Sequence, residues 1–370
     1  MLIAVTVLTY AATLWSEKRL PAARTPYDIP IALLLLAGVI GIAVSPDHAR
    51  ALGIYRAYFV EAIACFYIAV DLLRAREDVR TLLLAAALGG SIMAIGQIVS
   101  FAIALGYHRL QLGDAPAFLN TTPNAVAMYL EPPLAFAAAF TIFPSGPRER
   151  RLGLSVLGVI LVAIVLTLSR SSYLAMSVLA LVLVLSLQSP RWRVRAVALL
   201  AVLAVVVIEV PFINQRIVTL GSSAALRWSI YEQAIRMLSE RPILGAGISG
   251  FPIRVAPFRP PDQTIELYPH DLWLTTWSEL GLLGLVVFAL IFFGLLWRGT
   301  QSLSRATDLY RPVLWGTVGA LVLYLVHGLF DSPYWKNDLS VEFWLLAALE
   351  VVAVRAAGNP APDSKEPLSP

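Results

Sequence analysis

The sequence predicts an all-α, polytopic membrane helix bundle with about eleven transmembrane helices, twelve if an upstream span is missing, and a helical segment displayed outside the lipid. Three observations carry this prediction. The 370 residues are 58% hydrophobic and 14% charged, against roughly 45–50% and about 25% in soluble domains. The apolar residues fall in runs of roughly 15–25 with almost no charge, the length a helix needs to cross ~30 Å of hydrocarbon. Lys and Arg sit mostly in the short connections between those runs, so the net charge of +4 reads as membrane orientation, not as a nucleic-acid surface. Strand-type alternation is absent, which disfavours a β-barrel, and a helix satisfies its own backbone in lipid.

The predicted spans are 1–15, 29–45, 54–73, 81–106, 123–143, 153–169, 172–188, 196–210, 271–297, 312–330 and 339–355. They divide the chain into a first membrane block (1–210), an external segment (211–270), a second membrane block (271–355) and a polar, Pro-rich tail (356–370). The stretch from Met1 to Trp15 has no basic flank, so no cleavable signal peptide is expected. Within 123–143, Glu131 is followed by Pro132 and Pro133, a pair expected to kink or break the helix.

Connections 16–28, 74–80, 146–152, 189–195 and 298–311 carry three basic residues each, whereas 46–53, 107–122 and 331–338 carry one each. The first set and the tail are therefore expected on the cytoplasmic side, with the N-terminus outward for eleven spans. Segment 211–270 carries six arginines, and long translocated segments escape the positive-inside bias. The lone cysteine, Cys65, lies in an apolar run and permits no intrachain disulfide.

In the external segment, Ser222–Glu240 has helical composition, with Ser222 or Ser223 as a possible cap. Trp228, Tyr231, Ile235 and Leu238 form one apolar stripe, and Arg227 and Arg236 lie on successive parts of the helix. Pro242 to Gly250 follows, with Gly245 and Gly247. These glycines permit close backbone approach to a ligand, or simply a turn after the helix. Arg170 lies between two apolar runs with no room for an ordinary loop. It either snorkels to headgroups or binds a phosphate through its planar fork. His270 ends the external segment and opens a span. It is a proton acceptor by chemistry or a polar cap. His327 and Asp331 are four apart near the outer end of a span, as a second polar cluster or a structural pair. The four histidines, His48, His108, His270 and His327, show no metal-ligand spacing. There is no phosphate-binding P-loop or dinucleotide fingerprint. No cofactor is expected, and a substrate would have to arrive already activated.

Taken together, these blocks resemble the O-antigen ligase and O-antigen polymerase superfamily over about residues 113–350; the first hundred residues share only hydropathy. The blocks are Asn120…Pro123–Asn124–Ala125–Val126–Ala127–Met128–Tyr129–Leu130, then Leu166–Thr167–Leu168–Ser169–Arg170, then the Arg227–Trp228 helix leading into Pro242…Gly245–Ala246–Gly247. The last is His270–Asp271, nine residues, and Gly281–Leu282–Leu283–Gly284. Asp271 stands where Asn, Ser or Gln is usual. The resemblance implies a GT-C-like, metal-independent, inverting glycosyltransferase of the bacterial inner membrane with its active site facing the periplasm. Its donor would be a glycan on undecaprenyl diphosphate. Its acceptor would be lipid A–core, another lipid-linked repeat or exopolysaccharide unit, or a protein hydroxyl. It implies Arg170 and Arg227 on the diphosphate and His270 as general base. Arg236, Arg254, Gly245, Gly247, Asn124, His327 and Asp331 would contact substrate. A secondary transporter or flippase is the reading of another class, suggested by Glu131 with its proline pair and by Glu61.

Overall fold

The computed structural model describes residues 2–18, 24–108, 115–120, 122–187 and 220–358, with six further positions between 190 and 198. Among these the regular structure is entirely helical. We number the main helices α1 (Leu2–Ser16), α2 (Asp28–Val44), α3 (His48–Leu72), α4 (Arg76–Gly106), α5 (Pro123–Ile142), α6 (Pro147–Leu166), α7 (Arg170–Leu185), α8 (Leu220–Glu240), α9 (Leu272–Ser302), α10 (Tyr310–His327) and α11 (Asn337–Gly358). Ten of the predicted spans fall on α1–α7 and α9–α11; the span 196–210, apart from residues 197 and 198, and the tail beyond 358 lie outside the described residues. Helices α3, α4, α5 and α9 are each long and apolar enough to cross a bilayer, and α1, α2 and α7 are shorter apolar helices. The chain is a polytopic, all-helical membrane protein.

Side-chain contacts sort the connections to two ends. At one end, Arg76 meets Asp308 at 3.4 Å, Arg80 meets Glu149 at 3.3 Å, and the Arg311 guanidinium lies 5.2 Å from the Phe143 ring centre. This gathers the α3–α4, α5–α6 and α9–α10 connections, all basic in the sequence. At the other end, Ser45 donates to the carbonyl of Ile248 (2.7 Å), and Asn124 donates to Asp331 (3.0 Å).

Helix α5 occupies the centre, packed by α4, α6 and α10. It stays helical through Pro132 and Pro133, so of the kink or break expected there, the break does not occur. Neighbours on every side fix its path, and bundles tolerate the lost backbone bonds of proline in that setting. Buried alanines, among them Ala135 and Ala139, let α5 lie close to its neighbours. Between α3, α9, α10 and α11 an aromatic cluster of Phe59, Phe66, Phe288, Phe292, Tyr334, Phe343 and Trp344 forms the largest core. A single π-turn, Arg56–Val60, interrupts α3 beside it.

A true break occurs in α9, where Gly281 has φ +68°. The segment after α8 docks into it. Leu282 donates to the carbonyl of Ile243 (2.9 Å), Ala246 to that of Ser278 (2.7 Å), and the Trp277 indole to that of Pro242 (2.7 Å). A Cβ on Gly281 would lie 2.3 Å from the Ile243 oxygen, and one on Gly245 would lie 2.4 Å from the Ser278 oxygen. The two glycine motifs therefore mate backbone to backbone, and the loop re-satisfies groups that the broken helix leaves open. Glu279 completes the seam by accepting from the Ser249 N–H.

Candidate active site

The described part of helix α8 starts at Leu220 and includes Ser222 and Ser223, the residues expected at its start. Its buried face is Ile230, Ala234, Met237 and Leu238, packed on Ala246, Phe251 and Val255. The expected stripe is only partly inward: Trp228 is 73% exposed and Ile235 55%. The apolar set is wide enough for two faces, and the loop covers the one rotated toward it. The rotation leaves Arg227 and Tyr231, one turn apart, on the side of the α10–α11 connection. The Tyr231 hydroxyl reaches two carbonyls, Leu329 at 2.8 Å and His270 at 3.1 Å. The Arg227 guanidinium lies 6.0 Å from the Phe330 ring centre, a cation–π range.

His270 adopts φ +58°, an uncommon conformation for a residue with a side chain, just before Asp271 caps α9 by accepting from Leu274 at 2.7 Å. Both ring nitrogens face carboxylates: Nδ1 lies 3.4 Å from Asp331, and Nε2 lies 3.1 Å from Glu266. Burial opposes the imidazolium, but the hydrogen bonds and charges of Asp331 and Glu266 outweigh it and raise the pKa to about 9. Burial likewise opposes the Asp331 carboxylate, and His270 reverses the balance and holds it below the usual range. The hydrogen bond from His270 also lowers Glu266. Asp331 is fixed further by Asn124, and by the Ser332 N–H at 2.8 Å. Asn124 is presented by the start of α5, where Thr122 accepts from Ala125 at 3.2 Å.

Arg170 is the first residue of α7, half-buried. The connection from α6 is only Thr167–Ser169. It closes through Leu168 at φ +55° and Thr167 back-bonded to Ile164 at 2.6 Å. Ser169 caps α7 by accepting from Ser172, and the Ser172 hydroxyl lies 3.4 Å from Nδ1 of His327. That same nitrogen is 2.7 Å from Glu131, with both side chains fully buried. Since Asp331 N–H donates to the His327 carbonyl at 3.0 Å, one turn of chain, His327–Asp331, touches the neighbourhoods of Arg170, Arg227 and His270 together.

The structure thus brings Arg170, Arg227, His270, His327, Asp331 and Asn124 to one end of the bundle. Gly245 and Gly247 depart from the ligand-cradle expectation. A Cβ on Gly247 would lie 2.6 Å from Ser45 N, so protein backbone fills the space that these glycines leave. Arg236 pairs with Glu232 at 2.6 Å in an exposed position, which accounts for it structurally. Arg254 ends the short helix Phe251–Arg254, and no contact links it to His270. Sequence reasoning missed Glu266 and Tyr268, although Glu266 lies only four residues before His270. It also missed Ser172 and the pairing of Glu131 with His327. Among the described residues no three His, Cys, Asp or Glu side chains gather as metal ligands.

Comparison with known proteins adds one finding. Residues 155–289 match the family model described as O-antigen ligase, Wzy_C. The matched segment includes Arg170, Arg227 and His270, whereas Asn124, Glu131, His327 and Asp331 lie outside it. No curated protein matches the chain. The sequence blocks, the helical bundle and this match over residues 155–289 agree, and together they support the O-antigen ligase superfamily.

Proposed function

We propose that the protein transfers a glycan from undecaprenyl diphosphate to an acceptor hydroxyl, with lipid A–core as the favoured acceptor, at the periplasmic face of the bacterial inner membrane. The observation that carries this reading is the turn His327–Asp331, whose His327 meets Ser172 two residues after Arg170, whose Phe330 ring lies beside the Arg227 guanidinium, and whose Asp331 meets His270. The acceptor oxygen attacks the anomeric carbon from the side opposite the diphosphate. The bond from that carbon to the diphosphate oxygen breaks, and its electron pair leaves with undecaprenyl diphosphate. Arg170 and Arg227 stabilise the charge that develops there, with preorganised donors strongest where water is excluded. Arg170 sits at a helix start, where the backbone N–H groups also favour an anion. The hydroxyl proton passes to Nε2 of His270 once the acceptor takes the place of Glu266 on that nitrogen, while Asp331 holds Nδ1 and orients the ring.

A cavity of about 690 Å³ supports a polyprenyl carrier. It is mostly apolar, lined by Pro132, Pro133, Phe136, Phe140, Leu345 and Leu349. It extends from Pro132 to Arg80 and Glu149 at the basic end of the bundle, an apolar wall suited to a long tail. The deep carboxylate that suggested a transporter, Glu131, is paired with His327 and belongs to the same cluster. The test is reconstitution of the purified protein with undecaprenyl-diphosphate glycan and, separately, lipid A–core, lipid-linked repeat units and a Ser/Thr peptide. Glycan should appear on the first acceptor and should disappear in His270→Ala and Arg170→Ala proteins that still insert normally. Undiminished transfer by both variants overturns the reading.

A further inference from the structure

The face of His270 turned away from Asp331 is framed by two side chains from its own loop. Glu266 contributes a carboxylate 3.1 Å from Nε2, and Tyr268 contributes a ring whose centre lies 4.9 Å from the imidazole, tilted by 56°. The loop is anchored upstream. Gln263 accepts from the Gln233 amide at 2.7 Å and from Ser229 at 3.2 Å, both on α8, and the Arg259 guanidinium donates to its carbonyl. Thr264 then donates to the second oxygen of Glu266 at 3.3 Å. Glu266 is therefore held at the proton-accepting nitrogen while its side chain remains 28% exposed.

A hydroxyl that replaces Glu266 on Nε2 sits beside both of these side chains. A carboxylate at that point accepts hydrogen bonds and donates none when ionised. A ligand that covers it without a donor strands a charged acceptor, at a cost larger than that of a neutral group. A single peptide hydroxyl that bonds Nε2 has no second hydroxyl to give Glu266. A sugar with two neighbouring hydroxyls has one for each, and its C–H face meets the aromatic ring. Given the transferase reading, on which this rests, we propose that Glu266 and Tyr268 form the acceptor subsite, with Glu266 accepting a hydrogen bond from the hydroxyl next to the one that attacks and Tyr268 supporting the sugar ring.

The test uses full-length protein in proteoliposomes, undecaprenyl-diphosphate glycan as donor, and either lipid A–core or lipid-linked repeat units as acceptor. Glu266→Gln should raise the acceptor KM by about ten- to a hundredfold, the size of a lost hydrogen bond to a charged group. The donor KM should stay unchanged, and Glu266→Asp should recover part of the loss. Tyr268→Leu should raise the same KM, whereas Tyr268→Phe should not. Unchanged acceptor KM in Glu266→Gln and Tyr268→Leu overturns the subsite and leaves the transferase reading intact. Absence of product from either acceptor with the unaltered protein overturns both.

Discussion

Nδ1 of His327 and a carboxylate oxygen of Glu131 lie 2.7 Å apart, and neither side chain reaches the surface. The pair joins α10 to α5 just below the turn that meets His270. Ionisable groups at such depth are costly unless paired, so each depends on the other. Glu131→Leu or His327→Leu alone should lower stability by about 3–5 kcal/mol, the usual effect of stranding one member of a buried pair. The double variant should recover much of that loss without recovering transfer, because the contact that ties Ser172, at the start of α7, to His327 is then gone. Unfolding in detergent micelles measures the first effect and product formation the second. A double variant as unstable as the sum of the two singles would show that the pair is not coupled.

For the two arginines, alanine at Arg170 or Arg227 should reduce kcat on the order of a hundredfold or more, as expected for one preorganised donor on a developing charge. Lysine should recover only part, because it carries the charge without the planar fork. Turnover of radiolabelled lipid-linked donor reads both. Full activity of Arg170→Lys would mean that charge alone suffices there.

The pH dependence follows from the two carboxylates on His270. Glu266 and Asp331 face the ring nitrogens, Tyr268 faces the ring, and Arg227 lies over Phe330 beyond Asp331. With its pKa raised to about 9, the free protein holds His270 protonated at neutral pH. Acceptor kcat/KM, which reports the free enzyme, should climb with pH and level off above about 9. Asp331→Asn removes one raising group and should move the midpoint to lower pH. The linked stability has the matching sign. It is fully present below the ordinary histidine value of 6.5 and is lost as pH rises through about 9. A profile unchanged by Asp331→Asn would remove Asp331 from this role.

At the α9 break, Gly245→Ala and Gly281→Ala should each destabilise. Both positions have positive φ, and the new Cβ would meet a carbonyl oxygen at 2.4 Å or closer. The backbone strain alone is of order 1–3 kcal/mol. Gly146→Ala is the control, because nothing lies within 4 Å of its added Cβ. Folded yield and melting temperature in detergent should separate the first two from the third.

Much of this fold is legible because lipid imposes a simple rule: apolar runs must be helices, and basic connections gather at one end. That rule located ten helices within a few residues and brought Arg80, Glu149, Arg76 and Asp308 to a common end. It does not decide which face of an external helix turns inward, so Trp228 and Ile235 were placed in a stripe that α8 leaves partly exposed. Nor does it decide whether a proline pair interrupts a helix, because the answer depends on α4, α6 and α10 packed around α5. The chemical types of Arg170, Arg227 and His270 pointed to a site. The Glu266 carboxylate did not, since one acid in an external loop resembles any solvated residue until the fold sets it against an imidazole.

The turn His327–Asp331 has an evolutionary and kinetic consequence. Because a single stretch of backbone bears on the arginine half and the histidine half alike, neither half can drift without the other registering it. Substitutions there should be tolerated only in compensating sets. Occupancy by one reactant should also be felt as a change in affinity for the second, so that the enzyme behaves as one gear rather than as two adjoining clamps.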